Sequence, residues 1–215
     1  MISVVQDFLA DKRIQYAVFI LLLAGVLSIG WFGYRRYQQG KEQSAFKEFS
    51  ETGDAYARIT TLADAEGQLK DSERAFLAGA QAHRSSVLYP FFLAFQADTL
   101  LRLGKIREAA VQLETAVKAM DQQHPLYYLY ALKAALVKID TLDATFEKQG
   151  RDELDKLAKN VANPLQDMAL YYSGLDASSH GEHDRALEKF NEIVGHGKLD
   201  SYWYQLADQK RKSGV

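Results

Sequence analysis

The sequence predicts an all-α protein: an apolar N-terminal helix that spans a membrane, then a solenoid of about three to four helical hairpins. Three observations predict it. Only three prolines (Pro90, Pro125, Pro164) interrupt 215 residues rich in Ala, Leu, Lys, Glu and Gln, so breakers are few and helix formers many. Tyr16–Tyr34 is a run of 19 residues without a charge, bounded by Arg13 and Arg35–Arg36. Two later segments, residues 91–119 and 168–194, align with one another around a glycine.

The uncharged run has the length a helix needs to cross about 30 Å of hydrocarbon. A helix satisfies its own backbone, so Gly25, Gly30 and Gly33 are tolerable inside it. Tyr16 stands at one edge and Trp31, Phe32, Tyr34 and Tyr37 at the other, next to Arg35 and Arg36. Amphipathic rings and basic residues prefer that interfacial level. A cleaved signal would end in small residues, whereas "IGWFGYRRYQQ" is bulky and basic. An uncleaved anchor at residues 16–34 is therefore expected, after a short tail at residues 1–15. Lys12 and Arg13 lie on one flank and Arg35, Arg36, Lys41 and Lys47 on the other. By the positive-inside rule this leans the C-terminal side toward the cytoplasm.

Beyond the anchor, Phe46, Phe49, Tyr56, Ile59 and Leu62 recur at helical spacing. They predict that the helix continues amphipathically through residues 35–66, to about Gly67, and packs its stripe on a repeat domain at residues 67–215. "DSERAFLAGAQAHRSS" reads as the helix that pairs with it.

The two aligned segments put Leu93 with Leu170, Ala97 with Gly174, Gly104 with Gly181, Ala109 with Ala186, Leu113 with Phe190, and Ala116 with Ile193. Gly104 and Gly181 suit a left-handed C-cap. Ala97 and Gly174, with Ala109 and Ala186, are small where two helices of a hairpin cross closely. "HPLYYLYALKAALVKID" reads as another first helix, with Pro125 at its first helical position. "GRDELDKLAKNVANP" reads as its partner, and Thr141–Gln149 as a long joining stretch. "LDSYWYQLADQKRK" reads as a capping helix, which solenoids need for solubility.

These spacings resemble the tetratricopeptide repeat, with Leu93 and Leu170 where that family has Trp. The resemblance implies a groove lined by the first helix of each hairpin. Its wall would be Phe91, Ala94, Asp98, Leu101 and Arg102 in one repeat. In the other it would be Met168, Tyr171, Leu175, Ser178 and Ser179. Tyr127–Tyr128, Tyr130 and Tyr171–Tyr172 fit either a binding surface or core between hairpins.

Little in the chain points to chemistry. Charged residues make up 25% with a net charge of −2, without the basic footprint of a nucleic-acid binder. No cysteine is present, which removes disulfides, thiolate metal sites and Cys nucleophiles. His180-x-x-His183 with Glu182 and Asp184 lies on a turn between helices and reads as a solvated turn, not a metal site. No H-E-x-x-H, P-loop or nucleophile-elbow motif occurs. A binding protein is expected, with no enzyme activity, no cofactor and no metal.

The whole layout resembles the YfgM-like proteins of bacterial inner membranes. "VVQDFLADKR" before the span, "GWFGYRRY" at its exit and "SVLYPFFLAFQADTLLRLGKIREAAVQLETAV" carry the likeness. It implies a cytoplasmic N-terminus and a periplasmic repeat domain, opposite to the lean of the flanking charges. It also implies partners: translocon subunits, a membrane-anchored periplasmic chaperone and exported polypeptides. The periplasmic layout is the expectation adopted, since the charge bias is only two residues.

Overall fold

The computed structural model describes residues 12–59, 66–196 and 201–214, and for residues 12–26 and 29 the backbone only. Among the described residues there are nine helices and no strand. They are α1 (Lys12–Ile59), α2 (Glu66–Ala82), α3 (Tyr89–Arg102), α4 (Ile106–Ala119), α5 (Tyr127–Ile139), α6 (Ala144–Lys159), α7 (Gln166–Ser179), α8 (His183–Gly195) and α9 (Tyr202–Ser213). The chain divides into two compact units, residues 1–47 and 48–215.

In the first unit the described side chains of Leu27, Trp31, Phe32, Tyr34, Tyr37 and Phe46 are all exposed. The expected span, Tyr16–Tyr34, falls within α1, but the side chains of Tyr16 and most of that stretch lie outside the described residues. Among the described residues no helix is long and apolar enough to cross a membrane. Phe46 was expected on the buried stripe and is instead 65% exposed. Leu62 lies outside the described residues. α1 is described to Ile59 and Gly67 sits in the first turn of α2; residues 60–65, where the continuing helix was expected to run on, lie outside the described residues.

The second unit is built from three hairpins, α3/α4, α5/α6 and α7/α8, each helix packed on its neighbours in sequence. The same short connector opens all three. Ser86 Oγ accepts the N–H of Leu88 at 3.0 Å. His124 Nδ1 accepts that of Leu126 at 3.1 Å, and Asn163 Oδ1 that of Leu165 at 2.9 Å. A side-chain acceptor two residues ahead holds the chain in a tight turn and aims it into the helix that follows. Pro125 therefore belongs to the connector, and α5 starts two residues later than expected, at Tyr127.

The turn inside each hairpin repeats as well. Gly104, Leu142 and Gly181 have φ of 75°, 57° and 76°, a left-handed conformation that suits glycine and strains a Cβ. From Gly104 to Leu142 is 38 residues, and from Leu142 to Gly181 is 39. The middle hairpin is thus a full repeat. Its second helix begins at Ala144, not near Gly150, because Asp143 caps it by accepting the N–H groups of Thr145 at 3.0 Å and Phe146 at 3.3 Å. Thr141–Gln149 is mostly helix and not a long joining stretch. Leu142 is 95% exposed, so its side chain gains little from burial. Leu142→Gly is expected to raise stability by about 1 kcal/mol, read as a higher urea midpoint.

Core follows from the hairpins. Phe76 of α2, Phe92, Ala94 and Ala97 of α3 and Leu113 of α4 are fully buried in one cluster. Phe49 and Tyr56 of α1 pack on it edge-on, Phe49 with its centroid 5.1 Å from Phe92. Full burial of such an aromatic contributes up to about 3 kcal/mol, and these two half-buried rings contribute part of that. A second cluster joins Leu132 and Ala135 of α5, Leu154 of α6, Leu170 of α7 and Phe190 of α8. Ala109 and Ala186, expected to be small at helix crossings, are both fully buried. A Cβ built at Gly174 would lie 2.7 Å from the Phe190 ring. The larger Phe190 needs glycine opposite it, while the aligned positions of the first hairpin hold the smaller Leu113 and Ala97, both fully buried.

Candidate functional site

The first helices of the first two hairpins, α3 and α5, meet along one face. Asp98 of α3 and Lys133 of α5 form an ion pair across it. The Phe91 ring sits 5.9 Å from Tyr130 of α5 and 5.3 Å from His124. Burial raises the Tyr130 hydroxyl above its ordinary range, and the Asp98 carboxylate adds to the shift. Tyr130 is therefore neutral at any physiological pH and available as a hydrogen-bond donor.

Of the expected groove residues, Phe91, Asp98 and Leu101 are half-buried and Arg102 is exposed. The Arg102 guanidinium lies over the Tyr56 ring at 5.4 Å from its centroid. Two expectations are corrected. Ala94 is fully buried, because it faces the hairpin core and not the shared face. Tyr171 is 9% exposed, covered by Trp203 of α9 at 5.5 Å and by Phe190 at 5.7 Å. Burial, with Tyr202 and Tyr172 nearby, raises its hydroxyl too. Met168 and Leu175 are drawn into the second cluster with Tyr172, Trp203 and Leu206, so α9 occupies much of the face that α7 was expected to present. Ser178 is half-buried and Ser179 exposed.

The accessible part of the face is consequently the α3–α5 pair. The connectors put Leu129 at the position of Phe91 and Met168. Leu129 is 41% exposed and Leu126 beside it 39%. Leu129 and Lys133 were not among the expected groove residues. The recurrence of Ser86-Val-Leu88, His124-Pro-Leu126 and Asn163-Pro-Leu165 is the signal that finds them. The arrangement is an apolar, aromatic strip crossed by one ion pair, suited to binding a chain segment and lacking any nucleophile–base couple.

The His180 turn is taken up locally. Arg151 contacts both ring nitrogens of His180 and pairs with Glu147. It also pairs with Asp176 at 3.1 Å. Among the described residues no group of three or more His, Cys, Asp or Glu side chains is placed to hold a metal. On the opposite side of α5, Lys138 is 2% exposed. Its ammonium bonds Glu153 at 2.7 Å and Glu114 at 3.1 Å, and Glu114 also takes Lys118.

No family model, no curated protein and no solved structure matches the chain.

Proposed function

We propose that this chain is a single-pass membrane protein whose helical-repeat domain binds other proteins through the α3–α5 face. The observation that carries the anchor is the outside of α1. Leu27, Trp31, Phe32, Tyr34 and Tyr37 are 57–70% exposed, with Arg35 and Arg36 between them. So dense an apolar surface signals a lipid or protein contact, and rings beside arginines match the interfacial level of a bilayer. With 19 uncharged residues from Tyr16 to Tyr34, the bilayer is the better fit.

The likeness to YfgM-like proteins supplies the setting. The repeat domain lies in the periplasm of a bacterial inner membrane. It works beside the Sec translocon with a periplasmic chaperone and receives apolar segments of exported polypeptides. Phe91, Leu129 and Tyr130 offer the rigid aromatic and apolar contacts that favour such segments, and the Asp98–Lys133 pair sets a polar limit.

Two measurements test this reading. Protease added to intact and to opened cells reports the compartment, and cleavage of residues 66–214 only after the outer membrane is opened is expected. A photo-crosslinker at Leu129 or Phe91 is expected to capture translocon or chaperone subunits, and one at the buried Ala94 to capture nothing. Capture of a different envelope assembly instead would make the protein a scaffold for that assembly.

A further inference from the structure

The three hairpins differ in one place that matters. Their connectors and turns put Leu93, Ala131 and Leu170 in register, and Gln96, Ala134 and Ser173 likewise. Leu93 and Leu170 are buried core. Ala131 stops three carbons short of them, and a cavity of about 260 Å³ opens beside it. Its apolar lining is Tyr127, Ala131 and Ala134 of α5, Val117 of α4 and Leu157 of α6. For comparison, an apolar protein cavity of about 150 Å³ is large enough to hold benzene.

Charge around the cavity is unbalanced. Lys118, Lys138 and Lys156 meet only two carboxylates, Glu114 and Glu153. Both carboxylates are already taken: Glu114 by Lys118 and Lys138, Glu153 by Lys138. Hydrogen bonding by Lys118, then by Lys138, lowers the Glu114 carboxyl below its ordinary value against the opposing effect of burial, so it stays ionised and engaged. Among the described residues no carboxylate pairs with Lys156, the third cation.

We propose that this cavity binds a small organic carboxylate with an aromatic-sized apolar body, the body replacing the missing leucine and the carboxylate pairing with Lys156. The site is separate from the α3–α5 face and does not depend on it. A hydrophobic hole selects by size and a single free ammonium selects for one negative charge, so the neutral and cationic analogues of such a ligand bind less well.

The test uses the full chain in lipid nanodiscs, with empty nanodiscs as the blank. A fluorinated phenylpropionate and its matching alcohol are titrated and followed by fluorine NMR. Saturable binding of the acid is expected, weaker by at least about tenfold in Ala131→Leu. That substitution restores what the other two hairpins carry, so it is also expected to raise the unfolding midpoint. Lys156→Gln, at an exposed position, is expected to weaken the acid about fivefold and leave the alcohol unchanged. Its fold is not at risk, which keeps the test open should Ala131→Leu misfold. No saturable binding to the unaltered chain, equal binding to Ala131→Leu, or equal effects of Lys156→Gln on acid and alcohol would each overturn the proposal.

Discussion

Replacing Gly150 with alanine is expected to destabilise the repeat domain by about 3 kcal/mol. A Cβ built there lies 2.5 Å from the carbonyl oxygen of Ala135 and 2.9 Å from the backbone nitrogen of Ile139. Both atoms belong to the backbone of α5 and have no rotamer to escape into, so α6 must move off α5 along the hairpin. Alanine's better helix propensity returns only about 1 kcal/mol. Gly53 is the control, because nothing lies within 4 Å of its added Cβ. Gly53→Ala is expected to be neutral or slightly stabilising. Urea unfolding followed by circular dichroism separates the two, and equal midpoints for both variants would mean that α5 and α6 are not packed this closely.

The second large effect concerns Lys138. Removing both of its partners, as Glu114→Gln with Glu153→Gln, leaves an ammonium that is 2% exposed without a counter-charge. Stranding a buried charge costs about 3–5 kcal/mol. The reverse change is predicted to be mild. Lys138→Leu leaves two carboxylates that are 31% and 39% exposed and free to hydrate. It also installs the residue that α3 has at the equivalent Leu100. A loss under about 1.5 kcal/mol is expected. The asymmetry between the two experiments is the diagnostic result, and similar losses would mean that Lys138 is more solvated than the structure has it.

The same network fixes a pH dependence. The folded-state pKa of Glu114 lies below the ordinary value of 4.5, chiefly through its hydrogen bond from Lys118. A depressed carboxyl contributes stability that is present above its unfolded pKa and lost as pH falls through the folded one. Stability should therefore decline below about pH 4.5, and Glu114→Gln should flatten that decline. Denaturant midpoints at a series of acid pH values give the comparison.

The first and third hairpins were legible because glycine announces a left-handed turn. Gly104 and Gly181 fixed the alignment, and Leu93, Ala97, Leu113 and their partners then fell into the core as expected. The middle hairpin was obscured because Leu142 holds the same conformation without the glycine signature, and because Asp143 starts a helix several residues before the apolar periodicity becomes clear. The face of the first helices was half legible. Phe91, Asp98 and Arg102 keep exposed surface. Ala94 and Tyr171 do not, for different reasons. A small residue on a first helix serves the crossing with its partner, and Tyr171 is roofed by Trp203, more than thirty positions away in the chain. No local pattern reports what a distant capping helix will cover.

Sequential packing has a mechanical consequence. A chain in which each helix leans chiefly on its neighbours in sequence resists tension one hairpin at a time. With one end held and the other pulled, α9 should detach first, followed by α7/α8 and then α5/α6. Each full release frees one repeat, 38 or 39 residues, or about 130 Å of extended chain. A force–extension trace should be a staircase of nearly equal steps, and the protein would act as a series of short, reloadable springs.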